Sequence, residues 1–267
     1  MIYSNLHTHS IFSDGMNTPE EIIVTALKLG FVSVGISDHS FTEFDPTYCM
    51  REMTQDAYIR ELRRLKRKYR DRIEVAVGLE YDGFTENVDR SQYDYLIGDC
   101  HYIRTAKGYF SIDHTKEIQR NCIEKQFHGD CLAYARSYYD SYVSCTVKHR
   151  PDILGHFDLP SKFGLMPEED PAYRMPAIEA FLACLEKTPL FEVNTGAISR
   201  GYRTEPYPAA FLLREALLHG GKPVLASDAH RAEHLQAGLP EAAALLKQAG
   251  FRSQVIWKEG RFQEVPL

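Results

Sequence analysis

Short apolar runs of β type recur along the chain, each closed by a polar cluster and followed by a longer stretch of helical period, and this alternation leaves few folds open. Seven runs stand out: Ile2 to Leu6, Phe31 to Ile36, Ile73 to Leu79, Tyr93 to Ile97, Ile153 to Leu154 with Gly155, Leu190 to Val193, and Pro223 to Ala226. Near-continuous apolar strands are buried on both faces, and strands separated by helices pair in parallel because the chain must cross back to the same end of the sheet. The pattern predicts an α/β fold, a parallel sheet wrapped by helices. With 267 residues, one barrel domain spanning residues 1–267 is expected rather than two small cores. Seven strands is one fewer than the standard barrel, so either a strand is hidden or the barrel is distorted.

The clearest helix opens at Thr18-Pro19-Glu20-Glu21, a capping Thr, a Pro at the first helical position and acids in the first turn, and Gly30 stops it. Others are expected at about Thr54 to Arg70, His114 to Tyr139, Met175 to Glu186, Ala209 to Leu218 and Leu239 to Ala249. The tail around Val255, Ile256 and Trp257, followed by Lys258 to Arg261, suits a small hairpin closing one end.

A formal charge of -6 argues against a protein whose main task is to hold nucleic acid, since phosphate contacts need a basic surface. No apolar run approaches the roughly 20 residues of a membrane span, and the polar start carrying His7 and His9 is not a signal peptide. The six cysteines show no CxxC spacing, so free thiols in a reducing cytoplasm are expected.

The chemistry-bearing residues sit where the apolar runs end. They are His7-Thr8-His9 with Ser13-Asp14-Gly15, Ser37-Asp38-His39, Glu80, Asp99-Cys100-His101, His156-Phe157-Asp158, Glu192-Val193-Asn194, and Asp228-Ala229-His230. In a parallel barrel these ends converge on one face. On extended backbone the imidazoles of His7 and His9 project to the same side, as do Asp228 and His230. Imidazoles alone would leave clustered divalent cations repelling one another, and carboxylates such as Glu80 and Asp228 offset that repulsion and can bridge metals. Mixed shells suit Zn, Mn or Fe and not Ca, which prefers oxygen throughout. An isolated HxH is weak, because most such pairs are surface or packing residues. Recurrence at successive strand ends is what a packing explanation does not supply. His114, His128, His149, His219 and His234 fall in helices or loops and read as surface or packing residues, and Cys100 should face away from its neighbours into packing.

Taken together, His7-Thr8-His9, Ser13-Asp14-Gly15, Asp38-His39, Glu80, His101, His156 and Asp228-Ala229-His230 resemble, in order and spacing, the signature of the PHP (polymerase and histidinol phosphatase) family over nearly the whole chain. The resemblance implies a distorted TIM-like (β/α)7 barrel holding up to three divalent ions, with a metal-bridged hydroxide as nucleophile on phosphorus. It further implies His7, His9, Glu80 and Asp228 on a first metal, Glu80 bridging to a second held by His101 and His156, and Asp14, His39 and His230 on a third. Gly155 to Leu159 with Lys162-Phe163-Gly164, and Glu192 to Thr195 with Tyr207-Pro208, are similar to the stand-alone histidinol-phosphate phosphatases. That similarity implies a small phosphomonoester substrate in histidine biosynthesis. The chain departs from the pattern after Thr195, where Arg200 falls a residue late.

A phosphoryl group needs cations on its oxygens. Arg200 is the first choice for that grip and Arg203, Lys162 and Arg104 are reserves, against a role as solvated surface cations. Asp99 and Asp158, beside ligand histidines, either orient imidazoles, move a proton to the leaving alkoxide, or are structural. Two other readings compete. A PHP phosphoesterase acting on nucleotides or nucleic acid would use the basic helix from Arg60 to Arg72, although Glu61 and Asp71 make a solvated face the better account of it. A metal-binding scaffold without turnover ranks last, since every expected ligand position is filled.

Overall fold

The computed structural model describes residues 3–86 and 88–267, so Ile2, the first residue of the first run, lies outside it. In chain order the first half comprises β1 (Ser4–Asn5), α1 (Pro19–Lys28), β2 (Ser33–Ile36), α2 (Gln55–Tyr69), β3 (Glu74–Asp82), β4 (Tyr95–Asp99), β5 (Tyr102–Thr105), β6 (Gly108–Ser111) and α3 (Lys116–Gln126). The second half comprises α4 (Cys131–His149), β7 (Ile153–Leu154), α5 (Pro171–Leu185), β8 (Leu190–Asn194), α6 (Gly196–Ser199), α7 (Ala210–Leu218), β9 (Lys222–Ala226), α8 (Leu239–Ala249), β10 (Ser253–Lys258) and β11 (Arg261–Pro266).

Seven strands form one parallel sheet in the order β1-β2-β3-β4-β7-β8-β9, and a parallel bridge between Thr8 and Ala229 joins its two edges. The result is the seven-stranded, distorted barrel, with no eighth strand paired into the sheet among the described residues. α1 starts as its sequence dictates: Thr18 and Glu21 cap each other's backbone amides, with Pro19 at the first helical position.

Two expectations need correction, and one element has no counterpart among them. The single helix over His114 to Tyr139 is two helices, α3 and α4, because His128 and Gly129 adopt left-handed φ of 53° and 83° and Asp130 caps a new start through the Leu132 and Ala133 amides. α5 begins at Pro171, capped by Asp170, and carries Pro176 within its first turns. The hairpin β5–β6, which leaves the barrel after β4, carried no recognisable run in the sequence.

Alternation along the strands separates two cores. Val34, Ile36, Val75, Val77 and Leu96 face outward onto Ile22, Ile23, Tyr58, Leu62 and Leu65 of the helices. Leu6, Ala76, Tyr95, Ile97, Ile153 and Val224 point into the barrel, where Val255 and Trp257 of the β10–β11 hairpin plug its floor. Tyr95 crosses this interior to donate its hydroxyl to the Leu6 carbonyl. It fits because Gly35 and Gly78 face it: a Cβ on either would lie 2.0 or 2.3 Å from its side chain. Gly35→Ala should therefore destabilise the fold by about 1–3 kcal/mol as an overpacked core does, measured by urea unfolding; an unchanged midpoint would show that Tyr95 has room to move.

Candidate metal centre

Every strand of the barrel hands at least one imidazole or carboxylate, from its last residues or the segment just after it, to the face opposite the plug. Glu80, on β3, stands at the centre. Its oxygens lie 3.3 Å from His7 Nε2, 3.4 Å from His9 Nε2, 2.6 Å from His39 Nδ1, 3.4 Å from His101 Nε2 and 3.1 Å from His156 Nε2. The adjacent carboxylate Asp228 lies 3.1 Å from His9 Nε2 and 3.8 Å from His7 Nε2, on backbone held at a left-handed φ of 47°. Asp14 sits 3.2 Å from His230, 3.7 Å from His39 and 3.8 Å from His9. It is placed there by Asp38, whose carboxylate binds the amides and hydroxyls of Ser10 and Ser13 in the same loop.

Four sets of donor atoms are close enough to share an ion: His9, Asp14, His39 and His230; His7, His9 and Glu80; His39, Glu80 and His101; and Glu80, Asp99 and His156. Many of these atoms touch only one another and complete no hydrogen bond. Among the described residues His7 Nε2, both His9 nitrogens, Glu80 Oε2, both Asp99 oxygens and His156 Nδ1 are buried with no hydrogen-bond partner. So many converging, unsatisfied polar atoms fit divalent cations, whereas buried polar groups in a merely structural interior are paired. Two of the acids and one imidazole already stand in the charge state in which they ligate. Burial works against ionising Glu80 and Asp228, yet the surrounding imidazoles, and for Asp228 first of all Arg200, hold both well below the usual carboxylate range. Burial and the neighbouring His230 and His39 push His9 down to about 3, the neutral state in which imidazole ligates.

The expected residues therefore meet: His7, His9, Asp14, His39, Glu80, His101, His156, Asp228 and His230 form one cluster. The expected partners of the imidazoles divide differently. Asp99 lies 3.1 Å from His156 Nδ1 rather than on its neighbour His101. The carboxylate against His101 is Asp82, which accepts the His101 amide at 2.9 Å and lies 3.2 Å from Nδ1. Asp158 is absent from the cluster; it accepts the Ala209 amide at 2.9 Å, while burial pushes it up to about 6.

Two buried carboxylates had no assigned role in the sequence. Asp82 follows Glu80 by two residues on the same strand face, a spacing that was available as a signal. Glu192, at the end of β8, holds His7 Nδ1 at 2.6 Å, receives the Asn194 amide at 3.0 Å, and so fixes which His7 nitrogen faces Glu80. Glu192→Gln should weaken metal binding by about 10–100-fold with the fold intact, read by chelator competition and circular dichroism; unchanged affinity would reduce Glu192 to packing.

Above the cluster lies a cavity of about 220 Å³ whose wall includes Asp113, Lys162, Arg200 and Tyr202. Of the four candidate cations two face it. Arg200 is anchored to Asp228 Oδ2 at 2.9 Å and to the Asp228 carbonyl at 3.1 Å, and Lys162 to Asp113. Arg203 is turned away onto Glu168 and Ser161, and Arg104 lies over Tyr109 on another surface.

The PHP domain matches residues 5–196 of the chain. Histidinol-phosphatase of Bacillus subtilis is 29% identical over 252 residues, spanning 85% of this chain and 92% of its own length. A Deinococcus radiodurans protein named "Probable histidinol-phosphatase" is 28% identical over 262 residues and 94% of each chain. The fold is shared with histidinol phosphate phosphatase of Lactococcus lactis, solved with zinc, L-histidinol and phosphate, at a TM-score of 0.71 with 19% identity over 98% of this chain and 100% of that one. Fold, site and relatives define the class, a metal-dependent phosphatase on a seven-stranded parallel barrel. The chain belongs to the PHP family, and within it is histidinol-phosphatase-like.

Proposed function

We propose that this protein hydrolyses L-histidinol phosphate to L-histidinol and inorganic phosphate. The observation that carries the reading is the set of unsatisfied imidazole and carboxylate atoms at the foot of a small cavity whose wall also presents Arg200 and Lys162. His7, His9, Asp14, His39, Glu80, His101, His156, Asp228 and His230 would hold the metal ions, with Asp99 alongside His156. Divalent cations bound there supply Lewis acidity toward the phosphoryl oxygens and make a water acidic enough to attack near neutral pH. Arg200, fixed by Asp228 and 3.1 Å from His230 Nδ1, would direct its remaining N–H groups at a phosphoryl oxygen, a donor oriented before the reaction begins. Lys162 adds a second cation to the same wall. The substrate assignment is supported by the Bacillus subtilis and Lactococcus lactis relatives.

The nucleic-acid alternative loses its main support, because the basic face of α2 is largely engaged: Arg64 pairs with Glu61 and Glu20, Lys68 with Glu20, Lys66 with Asp94, and Arg63 with Gln92. Among the described residues no helix is long and apolar enough to cross a membrane. The test is elemental analysis of the purified protein together with phosphate release from L-histidinol phosphate, a nucleoside monophosphate and a phosphodiester. Metal-dependent release preferentially from histidinol phosphate is expected. Preference for a diester would return the reading to the nucleotide class, and a metal-free protein with no turnover would remove it altogether.

A further inference from the structure

Most of the cavity wall is accounted for by the metal cluster and the cations, but one acid is not. Of the carboxylates lining the cavity, Asp14, Glu80 and Asp228 belong to the cluster, and Asp113 is the remaining one. It does not come from the barrel. The chain leaves β4, makes the β5–β6 hairpin, and returns over the catalytic face, with the Ile112 amide tied to the His101 carbonyl at 3.0 Å, so that Ser111, Asp113 and His114 reach the cavity.

The chemistry at Asp113 is asymmetric. Lys162, its side chain 8% exposed, donates to the Asp113 carbonyl at 2.8 Å and to Oδ2 at 3.1 Å. Among the described residues Oδ1 has only a long contact, 3.4 Å, from the Ser111 hydroxyl. A carboxylate oxygen accepts two hydrogen bonds and an ammonium donates three, so the pair keeps acceptor capacity on Oδ1 and a third N–H on Lys162. It thus offers a negative and a positive group side by side. A phosphomonoester whose alcohol bears an amine close to the ester oxygen carries the matching opposite charges.

Resting on the phosphatase reading above, we propose that Asp113 is the residue that selects phosphomonoesters of cationic amino alcohols, by accepting a hydrogen bond from the substrate's nitrogen at Oδ1 while Lys162 faces the phosphate. Asp113 touches the substrate's leaving group and not the metals, so its loss acts on which ester is chosen.

The experiment compares kcat/KM for L-histidinol phosphate with kcat/KM for p-nitrophenyl phosphate, which lacks the amine, in the metal-loaded wild-type enzyme and in Asp113→Asn. The ratio is expected to fall by about 30-fold or more in the variant, the scale of one hydrogen bond to a charged group, with metal content unaltered. A wild-type ratio well above one that Asp113→Asn leaves within about threefold overturns the role of Asp113 and leaves the phosphatase reading standing. A wild-type enzyme with no preference for the amine-bearing ester overturns both the histidinol phosphate assignment and the selection by Asp113. An equal loss on both substrates assigns Asp113 to holding Lys162 and also defeats the proposal.

Discussion

Glu80→Gln should lower kcat by about 10³-fold and leave the protein deficient in metal. The side chain keeps its size, so the packing of β3 is preserved and what disappears is a charge. That charge is within 3.4 Å of five imidazoles, those of His7, His9, His39, His101 and His156, so it belongs to more than one ion position at once. Without it, clustered cations lose the central carboxylate that offsets their repulsion, leaving only the peripheral Asp14, Asp99 and Asp228, and several kcal/mol of electrostatic stabilisation are lost, which converts to about the stated factor in rate. Elemental analysis and steady-state kinetics on the same preparation check this. A variant that retains full metal content and a kcat within tenfold of wild type would place the centre of the cluster elsewhere.

Removing metal from the intact protein should act on stability as well as on rate. The buried nitrogens and oxygens that lack partners each cost about 1–3 kcal/mol when nothing satisfies them. Ligands present at 100–1,000 times their dissociation constant stabilise by about 2.7–4.1 kcal/mol per site, and each kcal/mol is worth about 2–4 °C in a chain of this size. Dialysis against a chelator should therefore lower the melting temperature by roughly 5–15 °C, and Zn or Mn should restore both it and turnover. Restoration should be pH-dependent. Burial opposes the charged form of His7 and His101, but Glu192 and Glu80 raise the first well above its ordinary value, and Glu80 with Asp82 pushes the second up to about 10. In the metal-free protein these imidazoles hold protons that a cation must displace, so reloading strengthens as pH rises and weakens as it falls. A melting temperature indifferent to the chelator would mean that the cluster is satisfied some other way.

The barrel was legible because burial on both faces writes itself as uninterrupted apolar runs, and because the residues that break each run fall at one end of the strands. His7 and His9 show how far local spacing goes: two residues apart on extended backbone, they reach the same cluster with ring centroids 5.1 Å apart. What spacing does not carry is the pairing between distant positions. Asp99 lies two residues before His101 and shares its side of the extended chain, yet it meets His156, because its partner is supplied by the segment following the neighbouring strand β7. Asp158 lies outside the cluster, as its structural alternative has it, since after β7 the chain turns into a short 3₁₀ segment that carries its carboxylate to the Ala209 amide. The β5–β6 hairpin was invisible because its strands, such as Gly108–Ser111, are short and only partly buried, so neither the apolar period nor a long run marks them.

The Thr8–Ala229 bridge has a consequence for how such a molecule is made. It joins the segment holding His7 and His9 to the segment holding Asp228 and His230, so the first and last members of the cluster lie on the two sides of the line along which the barrel shuts. During synthesis the amino-terminal imidazoles emerge long before their partners and must wait while more than 200 residues follow, a contact separation that makes closure a late event in folding. A chain interrupted anywhere before Asp228 lacks an acid and an imidazole at that line and leaves the barrel open. Acquisition of the full complement of ions therefore reports that synthesis has passed His230, because the set made with His9, Asp14 and His39 is incomplete until that residue is in place.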